Sequence, residues 1–259
     1  MQSRPFTYLF SIQYLGLRYH GWQKQPGVKT IQGSLEKAFR YVLGHEDFTI
    51  LGSSRTDSGV SCNCGAFELF LKHEVSPDIL DALNSILPSD IRLLEFHPIP
   101  LTFNIIQDVI WKEYHYHFSV GKKFHPFVAG NLSYFQGTPD LDMVKKGAKL
   151  FIGKHDFRRF CAIDKVTDDY VREVLESEIL QHVQAGTGLI PESAFTFSVK
   201  GKGFLRYQVR IMMGALMDLG FGKITMEDLK NALASDQISP ISVAVPSNGL
   251  VLEKVEFKK

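Results

Sequence analysis

The sequence predicts an α+β fold with antiparallel or mixed sheets. Three observations carry that reading. Stretches that alternate apolar and polar side chains recur from one end of the chain to the other. Stretches with apolar side chains three and four apart lie between them. The two kinds do not follow each other in the strict strand-helix order of a doubly wound parallel sheet.

Taken in order, "FTYLFSIQY" alternates as a strand. "IQGSLEKAFRYVLG" places Ile31, Leu35, Phe39 and Val42 on one helical face and closes on Gly44, a residue suited to a helix C-terminus. "GAFELFL" is again a strand. In "SPDILDALNSILP", Ser76 reads as an N-cap, Pro77 as a first-turn residue and Pro88 as a stop. "IRLLEFHPI" and "WKEYHYHFSV" read as strands joined by the proline-bearing "HPIPLTF". "LDMVKKGAKLF" turns Leu141, Val144, Ala148 and Phe151 inward as a helix. "AFTFSVKGKG" is a strand running into a glycine turn, and "FLRYQVRIMMGALMDLG" reads as a long apolar helix from there. "TMEDLKNALAS" is a short capped helix and "LVLEKVEF" a last strand.

At 259 residues the chain is long enough to bury about two-thirds of its unfolded surface without an external staple. Cys62, Cys64 and Cys161 cannot all pair, and their spacing offers too few soft ligands for zinc, so reduced structural thiols are expected. Hydrophobic residues at 44% and charged residues at 22% are ordinary for a soluble protein. No apolar run approaches the roughly 18 residues that a spanning helix needs. The first ten residues alternate rather than form a signal peptide, so a cytoplasmic protein with no membrane association is expected.

The net charge of +1 hides an uneven distribution. Residues 196–217 hold Lys200, Lys202, Arg206 and Arg210 and no acid, and residues 112–165 hold ten Lys or Arg against five Asp or Glu. Acids gather in "DKVTDDYVREVLESE". A basic face opposite an acidic one fits this pattern, as does ordinary surface solvation.

Three groups of residues offer chemistry. In "SSRTDSGV", Asp57 opens an Asp-Ser-Gly sequence that is a common turn, yet Arg55 two residues earlier would keep its carboxylate ionised and oriented, as a nucleophile or base requires. In "WKEYHYHF", alternation puts Lys112, Tyr114, Tyr116 and Phe118 on one face and Glu113, His115 and His117 on the other. The aromatic row is either core or a surface for an unstacked base, and the two histidines lack a third metal ligand at sensible spacing. In "KGKGFLRYQVR", the glycines could cradle a phosphate at a helix start, although the third glycine of a dinucleotide fingerprint is absent. Arg206 and Arg210, four apart on an apolar helix, would share a face and need an acidic partner, either Asp57 or another acid.

These segments together resemble the tRNA pseudouridine synthase A family, along nearly the whole chain and in the same order. "YLGLRYHGWQKQP" resembles the opening motif through Tyr14, Gly16, Tyr19, Gly21, Trp22, Gln23, Gln25 and Pro26. "TIQGSLEKA", "SSRTDSGV", "FNIIQDVIWKEYHY", "FIGKHDFRRF", "GFLRYQVRIMMGALMDLG" and "NGLVLEKVEF" follow. The resemblance implies two related halves with sheets joined side by side around a basic central cleft, residues 1–104 carrying the aspartate loop and 105–259 the tyrosine and arginine. It implies isomerisation of uridine to pseudouridine in tRNA, at positions 38–40 of the anticodon arm, by a homodimer that needs neither metal nor organic cofactor. By matching position it implies Asp57 as nucleophile, Tyr114 stacked on the uracil and Arg210 ion-paired to Asp57. Arg55 would contact RNA and assist extrusion of the nucleotide, with Lys112 and Arg206 as further substrate contacts. A catalytically inactive RNA-binding module of the same fold is the first rival. A phosphotransferase using "KGKG" and Asp57 is the second, and it lacks clustered carboxylates and a P-loop. The chain departs from the family's usual residues at Ser54, Ser58, Ser61, Cys62, Ile105, Ile106 and Lys112. The loss of an arginine at 106 removes a phosphate or structural contact and bears on which uridines are taken.

Overall fold

The computed structural model describes residues 4–163 and 169–258, so the acidic cluster from Asp164 begins outside the described residues. The chain divides into two compact units, Met1–Ile110 with Leu252–Lys259, and Trp111–Val251.

In the first unit, β1 (Phe6–Tyr14) pairs antiparallel with β3 (Ser61–Leu71) on one side and with β4 (Ile91–Pro98) on the other. The short β2 (Phe48–Gly52) pairs with the far end of β3, and β10 (Leu250–Phe257) neighbours β3. Two helices, α1 (Ile31–Leu43) and α2 (Ile79–Ile86), accompany the sheet. Ile31, Leu35 and Phe39 of α1 are fully buried, as the 3.6-residue period requires, and Phe10 stacks on Phe67 at 5.1 Å with Phe39 edge-on to both. Gly44 ends α1 in the left-handed region at φ 73°. A smaller cluster of Leu9, Ala66 and Ile105, with Leu51, Ile99, Phe103 and Phe257 packed against it, accounts for the "HPIPLTF" segment. After Pro98 that segment packs back, with Ile99 exchanging hydrogen bonds with Thr7.

Ser76 does not cap α2. The N-cap is Asp78, and Ser76 instead accepts the Ile79 N–H through its carbonyl, so Ser76 and Pro77 form the turn that precedes the helix.

In the second unit the strands run in the order β5 (Val109–Gly121), β9 (Ala194–Gly201), β8 (Val171–Gln181), β7 (Gly153–Asp156), all antiparallel, with β6 (Ser133–Gln136) parallel to β5. Three helices, α3 (Leu141–Lys149), α4 (Gln208–Gly220) and α5 (Met226–Ala232), bury Val144, Ala148, Met212, Met213, Leu216 and Leu229 completely. Gly147 lets α3 and α4 close: a Cβ there would lie 2.5 Å from Leu219. Thr225 and Asp228 form the reciprocal capping box that starts α5. The mixed α/β architecture and mostly antiparallel strands agree with the sequence reading.

Candidate active site

Asp57 lies between β2 and β3, half-buried, with exposed Arg55 and inward-facing Thr56 before it. The Val60 N–H donates to the Asp57 carbonyl at 3.2 Å, and Gly59 takes φ 79° at the third position. The Asp-Ser-Gly turn predicted from sequence is therefore present, with Asp57 at its first position and glycine where positive φ is required.

The opening motif explains why this turn is held in one place. The Trp22 N–H donates to the Thr56 carbonyl at 3.1 Å and the Gly59 N–H to the Tyr19 carbonyl at 3.1 Å. Thr56 Oγ1 pairs with Tyr14 Oη at 2.8 Å, and Ser61 Oγ accepts the Gly16 N–H at 2.9 Å. Such bonding needs backbone on backbone, which is what the two glycines permit. A Cβ on Gly16 would sit 2.0 Å from the Val60 carbonyl oxygen, and one on Gly21 2.5 Å from that of Thr56. Buried Trp22 fills the space behind, against Gly52, where a Cβ would meet the indole at 2.4 Å. Tyr19 is anchored by donating to Asp90 at 2.6 Å, with Arg18 on the same carboxylate.

In the second unit, β5 divides its faces as alternation requires. Tyr116 and Phe118 are fully buried, and Tyr116 Oη donates to Pro246 O at 2.8 Å and pairs with Ser133 Oγ, so the deep half of the row is core. Tyr114 is half-buried and meets the Phe204 ring edge-on at 5.3 Å. Lys112, two residues before it, is held by burial at a pKa of about 8. On the other face His115 pairs with Glu113 at 3.0 Å and His117 with Thr196 at 2.9 Å. Burial, with His182 and His115 beside it, pushes His117 down to about 3. Among the described residues no three His, Cys, Asp or Glu side chains are placed to hold a metal ion.

The "KGKG" stretch works differently from a phosphate cradle. A Cβ on Gly201 would lie 2.7 Å from the Glu173 carbonyl and 3.2 Å from Phe204, so this glycine serves close packing at the turn that delivers Phe204 to Tyr114. The helix starts at Gln208, not at Phe204, which removes Arg206 from it. The shared helical face expected for Arg206 and Arg210 is thus corrected: their guanidinium groups both lie 4.8 Å from the Tyr207 ring centroid. Among the described residues Tyr207 is the one non-glycine with positive φ, 61°. Buried Gln208 accepts the Leu205 N–H at 2.8 Å and fixes the approach, while Arg210 Nε donates to the Val245 carbonyl at 2.7 Å.

Phe204 and Tyr207 were not singled out in the sequence. An aromatic directly after a glycine turn was the available signal for Phe204; nothing in residue type marks Tyr207 for the left-handed region.

Several departures find local reasons. Ser61 supplies the acceptor for Gly16, Cys62 is buried beside Gly65, and Ile105 is fully buried with its N–H on the Glu68 carboxylate. Ile106 is exposed, and the buried Ser54 hydroxyl has no hydrogen-bond partner among the described residues.

The family model for tRNA pseudouridine synthase matches residues 11–106 and 148–258. A protein of Desulfotalea psychrophila named tRNA pseudouridine synthase A 2 is 31% identical, across 96% of this chain and 97% of its own. Proteins named tRNA pseudouridine synthase A from Clostridium kluyveri and Bacillus pumilus are each 32% identical, across 95% of this chain and 97% of theirs. With matches of this extent spanning both units, the chain belongs to the tRNA pseudouridine synthase family.

Proposed function

We propose that this protein isomerises uridine to pseudouridine in the anticodon arm of tRNA, with Asp57 as the nucleophile. The observation that carries the reading is the backbone-clamped turn that presents a half-buried Asp57 beside Arg55, in a chain of this family. The reaction breaks the bond from N1 to the ribose, turns the base and rejoins it through C5. The C5 proton leaves, N1 gains one, and there is no redox change and no net hydrolysis. What it needs from the protein is an ionised carboxylate in a partly dry pocket, where its effect on the ribose or base exceeds that in water. Arg210 forms the ion pair that keeps Asp57 charged despite desolvation. The target nucleotide must leave its stack, at a cost of a few kcal/mol. Arg55, Lys112 and Arg206 offset that cost through backbone contacts. Tyr114, steadied by Phe204, stacks on the detached uracil and helps to remove the C5 proton. The protein works in the cytoplasm as a homodimer whose subunits share the tRNA.

Asp57→Asn is expected to abolish release of tritium from C5-labelled uridine in tRNA while tRNA affinity stays within a few-fold of wild type. Wild-type-like turnover in that variant would remove Asp57 from the reaction. A wild-type protein that binds tRNA and forms no pseudouridine would be the inactive RNA-binding module.

A further inference from the structure

The first unit contains a groove of about 700 Å³ lined by none of the residues proposed above for the reaction. One wall is the face of α1 that carries Gly33, Lys37 and Tyr41 at four-residue spacing, and another is the loop with Lys24, Val28 and Lys29. Ile86 and Pro88, at the end of α2, close it.

Tyr41 is 77% exposed, and Val28 and Ile86 are also exposed apolar side chains, so folding alone does not account for them. The charges have one sign in excess. Lys24 is neutralised by Glu36 at 2.5 Å, whereas among the described residues neither Lys29 nor Lys37 has a carboxylate within 4 Å, and Lys29 acts only at longer range on Asp90, which Arg18 already pairs. Lys29 lies over the Tyr19 ring at 4.5 Å. The start of α1 is not what attracts an anion here, because its first N–H groups are already used: Ile31 donates to Gly21, Gln32 to Trp22 and Gly33 to Thr30. Lys29, Lys37, the exposed Tyr41 ring and an aliphatic wall line one groove, a set that matches a nucleotide with phosphates on the ammonium groups and the base on Tyr41.

The groove is also tied to the aspartate turn. The Lys29 carbonyl accepts the His20 N–H at 2.9 Å, and the neighbouring Tyr19 carbonyl accepts the Gly59 N–H of that turn. One segment, residues 19–30, therefore clamps the turn at one end and lines the groove at the other.

We propose that this groove binds an unstacked nucleotide of the tRNA other than the uridine that reacts, its base on Tyr41 and its phosphates on Lys29 and Lys37. The proposal rests on the tRNA reading above. In full-length protein, Tyr41→Ala should weaken tRNA binding about tenfold while Tyr41→Trp keeps it. Lys37→Ala should reduce the slope of log Kd against log salt by about one. Both positions are exposed, and unchanged unfolding curves will verify that the variants fold. Wild-type affinity in Tyr41→Ala together with a wild-type salt slope in Lys37→Ala overturns the proposal. So does a Tyr41→Ala variant that binds tRNA normally but loses affinity for free AMP, since the groove would then serve a small nucleotide. Wild-type protein run alongside separates the two readings. If it makes no pseudouridine, the function above fails; if it makes pseudouridine while the variants bind as wild type, only the groove assignment fails.

Discussion

Lys112 stands where the family more often has arginine, and the two cations differ in a way that can be measured. Arginine stays charged at any pH a protein meets, whereas burial lowers the Lys112 ammonium to about 8. The phosphate contact proposed for it would therefore be full below that value and lost as pH rises through it. The KM for tRNA should rise several-fold between pH 7 and pH 9, and Lys112→Arg should flatten that rise; parallel KM profiles for the two proteins would take Lys112 out of the RNA contact. The sequence displayed this residue, like Tyr114, because period-two alternation needs only residue type. It displayed Asp57 for a similar reason, since a turn ending in glycine is a local signal. Arg210 lies on the helix as its spacing predicts, but Arg206 does not, because the chain bends at Tyr207 before the helix begins.

At the scale of elements, the segment between β1 and α1 determines where the aspartate turn sits, and Gly21 tests this. Its φ of 87° is costly for any other residue, and an added Cβ would meet the Thr56 carbonyl at 2.5 Å. Gly27 provides the control: its φ is 75°, but nothing lies within 4 Å of its Cβ position. Each substitution by alanine should lower stability by about 1 kcal/mol or more from backbone strain. Only Gly21→Ala should also reduce turnover, by ten-fold or more, as measured by pseudouridine formation at saturating tRNA. Equal turnover in the two variants would mean the turn keeps its position without the clamp. The long elements were legible because their periods are clean: β1, β5, β9 and β10, with α1, α3 and α5. β8 was not, since a register shift between Val174 and Glu176 breaks its alternation and exposed Glu173, Glu176 and Glu178 make it read as a charge cluster. β2, β6 and β7 have four or five residues each, too few for a period to show.

At the scale of the whole molecule, two buried groups apart from the proposed chemistry, Glu68 and His117, add opposing terms to stability against pH. Glu68 is 2% exposed, lies opposite Leu9 and Leu51 across its two neighbouring strands, and accepts the Ile105 N–H. Burial raises its carboxyl from 4.5 to about 7 despite that bond. The folded state thus keeps its proton at pH values where the unfolded chain has released it. The stability it confers is complete below 4.5, declines as pH rises to about 7, and above that the fold carries the whole cost of an ionised buried carboxylate. His117 acts in the opposite sense: it resists protonation down to about 3, so its term increases stability as pH rises from there to 6.5. Glu68→Gln retains an acceptor for Ile105 and removes the charge. It should match wild type in urea unfolding at pH 4 and exceed it by about 1–3 kcal/mol at pH 8, with the KM profile assigned to Lys112 unchanged. No gain at pH 8 would mean that the carboxylate reaches water, and the pH dependence of stability would then belong to other groups.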